Sequence, residues 1–188
     1  MEVKDLIEAA RNATARAVNS ALVMLYWHID ERIRTELLKE KRAEYGMEIL
    51  STLSKELVVD FGNGYSVPNL SRMMRLAEVF PDVQIVSALS AQLGWSHFVE
   101  ILPIKDPLKR DFYAEMCRVE RWSLRTLRDK IGGMLFERTA LSRKPAKLAE
   151  QELAKLRATD QLSPDLVFRD PYFLEFRPAT AVPARTLR

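Results

Sequence analysis

Eight side chains in this sequence have the types and spacing to meet a polyanion. Asn69, Arg72 and Arg75 recur at intervals of three, so any helix containing them places them on one face. Arg121, Arg125 and Arg128 recur at four and three, with Arg118 one turn earlier. Guanidinium groups in such rows can hydrogen-bond phosphate oxygens, and one or two near a helix N-terminus can reach guanine edges in a major groove. Each row adjoins an aromatic-serine pair, Tyr65-Ser66 before the first and Trp122-Ser123 within the second. Ser66 and Ser123 are placed to cap helices, with the aromatic as a staple against Leu70 and Leu127 four residues on. A third pair, Trp95-Ser96, has Glu100 at that position and no arginine row, so it reads as architectural.

Other chemistries find less support. His28, His97 and Cys117 have no paired spacing, so no metal ligand set is expected, and no Gly-x-Ser-x-Gly elbow suggests a nucleophilic serine. Pro164-Asp165 followed by Glu175-Phe176-Arg177 imitates the carboxylate pattern of metal-dependent nucleases. Arginine does not replace the lysine of that pattern, because it does not readily lose its proton, and Pro171 interrupts the segment. No catalytic residue, metal or cofactor is expected.

Composition sets the outer limits. The 188 residues can bury one core plus an appended segment, and 29 basic against 26 acidic side chains leave a net charge of only +3. The bias drifts from slightly acidic at the start to slightly basic at the end. A single cysteine, Cys117, excludes an internal disulfide and reads as a small buried apolar side chain. The polar N-terminus does not resemble a signal peptide, and the longest clean apolar run, Ala21 to Trp27, is too short to cross a bilayer. A cytoplasmic protein without a membrane partner is the expectation.

The elements that must position these residues are helical. From Glu2 to Arg42 there is neither proline nor glycine, and apolar residues keep helical spacing, which predicts one very long helix or two in near continuity. Such a helix buries its stripe across the domain or against another chain, and a homodimer through it is expected. Further helices are predicted from Glu44 to Phe61, Ser66 to Phe80, Ser87 to Leu93, Trp95 to Pro103, Pro107 to Glu120, Ser123 to Ile131 and Pro145 to Arg157, with a short stretch at Phe136 to Leu141. Gly62 and Gly64 end one helix and Gly132-Gly133 another. Val83 to Val86 could form a small wing. The expected class is mainly α, a long N-terminal helix with a helix-turn-helix or winged-helix-like bundle. The helical domain is placed at 1–158, with helix-turn-helix-like units at about 45–80 and 106–133, and 159–188 is an extended, partly disordered tail.

The chain also resembles a family. Tyr45-Gly46 through Leu53-Ser54, Gly64-Tyr65-Ser66-Val67-Pro68-Asn69-Leu70, Phe80-Pro81, Trp95-Ser96-His97, Arg110-Asp111-Phe112-Tyr113, Trp122-Ser123-Leu124-Arg125-Thr126-Leu127 and Arg138-Thr139-Ala140-Leu141-Ser142 look like the amino-terminal domain of the bacterial YhcG-like, DUF1016-type proteins. Asp170-Pro171-Tyr172 resembles the hinge that closes that domain. The resemblance implies a helical, winged-helix-like module that binds DNA and precedes a PD-(D/E)XK nuclease domain. That nuclease domain is absent from this sequence, so no catalytic residue is carried over. The expected function is non-enzymatic binding of duplex phosphates by Ser66, Asn69, Arg72, Arg75, Arg121, Ser123, Arg125 and Arg128. The alternative is a protein-interaction or dimerisation module acting with a separate nuclease or a restriction-modification component.

Overall fold

The structure, a computed structural model, describes residues 3–33, 43–164 and 166, with backbone alone over 43–47. It contains eight α-helices and no strand among the described residues. The chain is mainly α, as its periodicity predicts. Two compact units divide it, residues 1–133 and 134–188.

Helix α1 runs from Val3 to Arg32, and its two halves differ. Residues 3–19 are exposed throughout, whereas Val23, Asp30 and Ile33 are buried at helical spacing. The second half is the spine of the first unit and packs across α3 (Val67–Val79), α4 (Val83–Ser90) and α5 (Trp95–Ile101). Trp27 ties spine to bundle by donating its indole N–H to the Phe80 carbonyl at 2.9 Å, and the Ser20 and Ser90 hydroxyls meet at 2.8 Å. The expected continuation of this helix toward Arg42 lies outside the described residues.

Helix α2 (Ala43–Phe61) ends at Gly62, whose φ of 87° is left-handed and whose N–H returns to the Val58 carbonyl at 3.0 Å. A short 3-10 turn, Asn63–Tyr65, leads into α3. Pro68 sits in the first turn of α3, where its missing N–H costs nothing, and the chain leaves the helix at Phe80 before Pro81. Leu70, Met73 and Leu76 recur every three residues on α3 and are fully buried. Burying a leucine completely contributes roughly 1.5–3 kcal/mol, so this face anchors α3 firmly.

The wing that Val83 to Val86 could have formed is instead the start of α4. Asp82 caps it by accepting from the Gln84 N–H at 2.8 Å, and Val86 and Leu89 bury one face. Two valines and an isoleucine favour strand locally, but the cap and the three-residue spacing of the buried positions decide for helix.

Helices α6 (Pro107–Glu120) and α7 (Leu124–Gly132) complete the unit. Asp106 caps α6 through the Leu108 and Lys109 N–H groups, and Phe112, Tyr113 and Met116 turn inward. Glu115 is buried with its carboxylate 2.8 Å from Arg118. Arg121 adopts φ 52° and reverses the chain into α7. In the second unit, Ala149, Leu153 and Leu156 form the buried stripe of α8 (Ala146–Thr159), preceded by 3-10 turns at Phe136–Arg138 and Leu141–Arg143. Most of the predicted tail, with the Asp170-Pro171-Tyr172 hinge, lies outside the described residues.

Candidate nucleic-acid interface

The three aromatic-serine pairs share a spelling and differ in structure. Ser123 is a true N-cap, its hydroxyl accepting from the Thr126 N–H at 3.1 Å. Ser66 occupies the N-cap position of α3, but its side chain makes no capping bond; only its carbonyl is used, by the Asn69 and Leu70 N–H groups at 2.8 and 2.9 Å. Ser96 is already inside α5, where Gly94 is the N-cap. The capping role expected at Ser66 is therefore corrected. The aromatics before the two uncapped serines also differ in setting from Trp122: Tyr65 and Trp95 both turn onto Tyr26 of α1, with ring centroids 6.4 and 4.8 Å away at steep angles. The Ser66 backbone, φ −59° and ψ 154°, is close to that of Ser123, φ −68° and ψ 160°, so the two serines differ in side-chain placement and not in backbone geometry. Burial, and secondarily the nearby Tyr65 phenol, pushes the Tyr26 phenol above its usual pKa.

On α3, Asn69, Arg72 and Arg75 share one outer face. Asn69 donates its amide to the Gly64 carbonyl at 3.1 Å and accepts from the Arg72 guanidinium at 2.8 Å. Arg72 and Arg75 are exposed. Among the described residues no carboxylate pairs with either.

On α7 the row is less uniform. Arg121 and Arg125 are exposed and unpaired among the described residues. Arg128 instead clamps Glu100 of α5, its Nε and Nη2 at 2.9 and 2.6 Å from one carboxylate oxygen, and that hydrogen bonding raises its pKa further. Arg118, in line with the row by spacing, belongs to buried Glu115. Trp122 packs under the Lys130 ammonium, 5.9 Å from the ring centroid.

Sequence spacing did not reveal two residues that hold the bundle together. Arg110 is nearly buried: it reaches the Ile104 and Val79 carbonyls at 3.4 and 3.5 Å and stacks on Phe80 at 5.5 Å, so it closes the end of α3. His97 shares a hydrogen bond with the Trp122 carbonyl at 3.2 Å and thereby ties α5 to the turn between α6 and α7. Its other ring nitrogen is buried without a partner, and desolvation lowers the pKa although the bond to the Trp122 carbonyl acts the other way. Cys117 is buried beside the same carbonyl, its thiol pushed up to about 12 by burial.

No group of three His, Cys, Asp or Glu side chains able to hold a metal occurs among the described residues, and Asp165 and Glu175 lie outside them. No helix there is long and apolar enough to cross a membrane. A separate apolar groove of about 540 Å³ lies between α1 and α2, lined by Leu25, Ile29, Leu53, Leu57 and Phe61, with Arg32 and Tyr65 among its polar edges.

These features define a mainly α-helical module that carries an arginine face and, among the described residues, no cluster of metal-ligating side chains. The chain belongs to the DUF1016 N-terminal domain family, whose model matches residues 2–138. It is similar to the Escherichia coli (strain K12) protein named "Putative nuclease YhcG", with 31% identity over 202 aligned positions that cover 91% of this chain and 53% of the relative. The chain thus spans about half the length of that curated relative. No solved structure matches it.

Proposed function

We propose that this chain is a DNA-binding module in which α2, its turn and α3 act as a helix-turn-helix unit, α3 and α7 presenting arginines to duplex phosphates. One observation carries the reading. Arg72 and Arg75 stand exposed on one face of α3, no carboxylate neutralises them among the described residues, and Asn69 orients the first. Ser66, Ser123, Arg121 and Arg125 border the two helix starts, and Arg128 contributes less because Glu100 holds its charge. Similarity to a protein named as a nuclease supports a nucleic-acid ligand, and the module's task beside such an activity is to hold duplex in place.

Anisotropy with a random duplex, titrated with salt, tests it. Affinity should fall steeply with salt, and Arg72→Ala with Arg75→Ala should flatten the slope by roughly 0.9 for each phosphate left without its arginine. Failure to bind any duplex at low ionic strength overturns the reading. The groove beside α1 favours a second reading, a protein-interaction module serving a separate nuclease. Recovery of a stable protein complex without DNA binding would select it.

A further inference from the structure

The turn between α2 and α3 holds a reactive pair that the fold leaves untied. Asn63 is followed by Gly64; both are exposed, and they open the short 3-10 turn. Among the described residues the Asn63 side chain has no hydrogen-bond partner. The Gly64 N–H is equally free, because the turn is closed by the Tyr65 and Ser66 N–H groups, each 3.2 Å from the Gly62 and Asn63 carbonyls respectively. A Cβ placed on Gly64 would meet nothing within 4 Å, so the space around this peptide is open. A side-chain amide carbon with an unhindered, unbonded backbone nitrogen one residue on can close to a five-membered imide, the route by which asparagine becomes a labile residue.

The other three asparagines lack this arrangement. Asn12 and Asn19 lie inside α1 and precede Ala13 and Ser20, and helical bonding turns the next N–H away from the side chain. Asn69 lies in α3, where its amide is held by the Gly64 carbonyl and by Arg72, and the following Leu70 N–H is bound to the Ser66 carbonyl at 2.9 Å.

We propose that Asn63 is a site of spontaneous deamidation, and that the carboxylate it gains is a slow, one-way attenuator of the α3 arginine face; the attenuation rests on the DNA-binding reading, and the modification does not. The Gly64 nitrogen gives its proton to solvent base and bonds to the Asn63 Cγ, while the Cγ–Nδ2 bond breaks and ammonia leaves with a proton from water. Water then opens the imide. Attack at Cγ releases the Gly64 nitrogen from it and leaves aspartate; attack at the main-chain carbonyl carbon leaves isoaspartate, in which the chain runs on through Cβ and Cγ. No electron changes hands, and water is the only co-reactant. Both products put a negative charge one residue from Gly64, whose carbonyl holds Asn69 at 3.1 Å, which in turn holds Arg72 at 2.8 Å. That charge repels the phosphates the row would meet. Isoaspartate also lengthens the main chain by one atom and converts the carbonyl that accepts from Ser66 into a free carboxylate, so the start of α3 shifts with it.

Ageing of the full chain at physiological temperature and mildly alkaline pH, read by peptide mass and by duplex anisotropy on the same samples, tests both halves. Tryptic peptide 56–72 carries Asn63 and Asn69 together, so its fragments compare them directly. Asn63 should convert to acid in two separable forms, and Asn69 should keep its amide. Gly64→Ala preserves the turn, since Gly64 has no positive φ and the methyl has room, yet it hinders the attacking nitrogen and should slow conversion about tenfold or more. Fresh Asn63→Asp should bind duplex about two- to threefold more weakly than fresh wild type. Aged wild type should lose affinity in step with its converted fraction, and aged Gly64→Ala should hold its own. An Asn63 that keeps its amide, equal conversion at Asn69, or conversion of Gly64→Ala at the wild-type rate would each overturn the modification site. Conversion without loss of affinity would overturn the attenuation. Fresh wild type that bound no duplex would overturn the DNA-binding reading and the attenuation with it, while the masses would still decide the site.

Discussion

The starts of α3 and α7 are written almost alike, aromatic, serine, then leucine four residues later, yet they are built by different forces. At α3 the aromatic goes to the core: Tyr65 meets Tyr26 and Phe61, its carbonyl accepts from the buried Ser54 hydroxyl at 3.0 Å, and Ser66 is left without a capping bond. At α7 the aromatic stays near the surface under Lys130, its carbonyl is fastened by His97, and Ser123 caps in full. The arginines follow suit. Arg72 of α3 is anchored by a neutral amide and neither it nor Arg75 meets a carboxylate among the described residues, whereas one of α7 is already paired. A motif fixes where a helix begins, and its surroundings decide which bond does the fixing.

The largest expected effect tests the two arginine rows against each other. Arg72→Ala with Arg75→Ala should lower duplex affinity by about 2 kcal/mol, or roughly thirtyfold, while Arg125→Ala with Arg128→Ala should cost less than half as much. Thermal unfolding should be unchanged for the first pair, since both side chains are exposed. Salt-titrated anisotropy measures the difference; equal losses would remove the distinction drawn from Glu100.

Next comes capping. Ser123→Ala removes a side-chain acceptor from the Thr126 N–H and should cost about 1 kcal/mol of stability. Ser66→Ala removes no capping bond and should stay within about 0.5 kcal/mol. Denaturant midpoints at matched slopes read both, and a loss at Ser66 equal to that at Ser123 would contradict the geometry.

These contrasts also mark what the sequence could show. Helix starts at Pro107 and Trp122-Ser123 and the Gly62 stop were legible because each depends on residues within one turn. The second half of α4 was legible from Ser87 on, but its first turn was not, since three β-branched residues in a short run look like strand until the buried neighbours of Val86 and Leu89 are known. The arginine rows were legible as spacing, but whether an arginine is spent depends on a partner distant in sequence. Arg128 and Glu100 are 28 residues apart, and the Arg110 contact to Val79 spans 31. Asn69 was legible as a member of its row, yet its bonds to Gly64 and Arg72 required the turn geometry.

The link between α5 and the α7 turn should respond to pH. Burial lowers the His97 pKa in the folded chain, so below about 6.5 the unfolded chain binds a proton that the folded one resists. The contribution is therefore present in full above that value and is lost as pH falls through the lowered folded pKa. Wild type should lose stability between pH 7 and pH 5 more than His97→Asn, whose amide can still donate to Trp122 but does not titrate. Urea midpoints at several pH values measure this; parallel profiles for the two proteins would show that other groups carry the pH dependence.

The smallest effect reverses the usual direction of a charge mutation. Glu100→Gln leaves a neutral acceptor beside Arg128 and cancels the carboxylate that now holds it, so α7 gains one net positive charge on its outer face. Because Arg128 is more than half exposed, removing the ion pair should cost little stability. Under the DNA-binding proposal, duplex affinity should rise about two- to threefold, with a salt slope steeper by at most about 0.9. The same substitution with Arg128→Ala already present should do nothing, because the freed charge is no longer there to meet phosphate. A gain that persisted in the double variant would place the effect at Glu100 itself, through repulsion of duplex, and would leave α3 as the proposed contact whose charges are fully available.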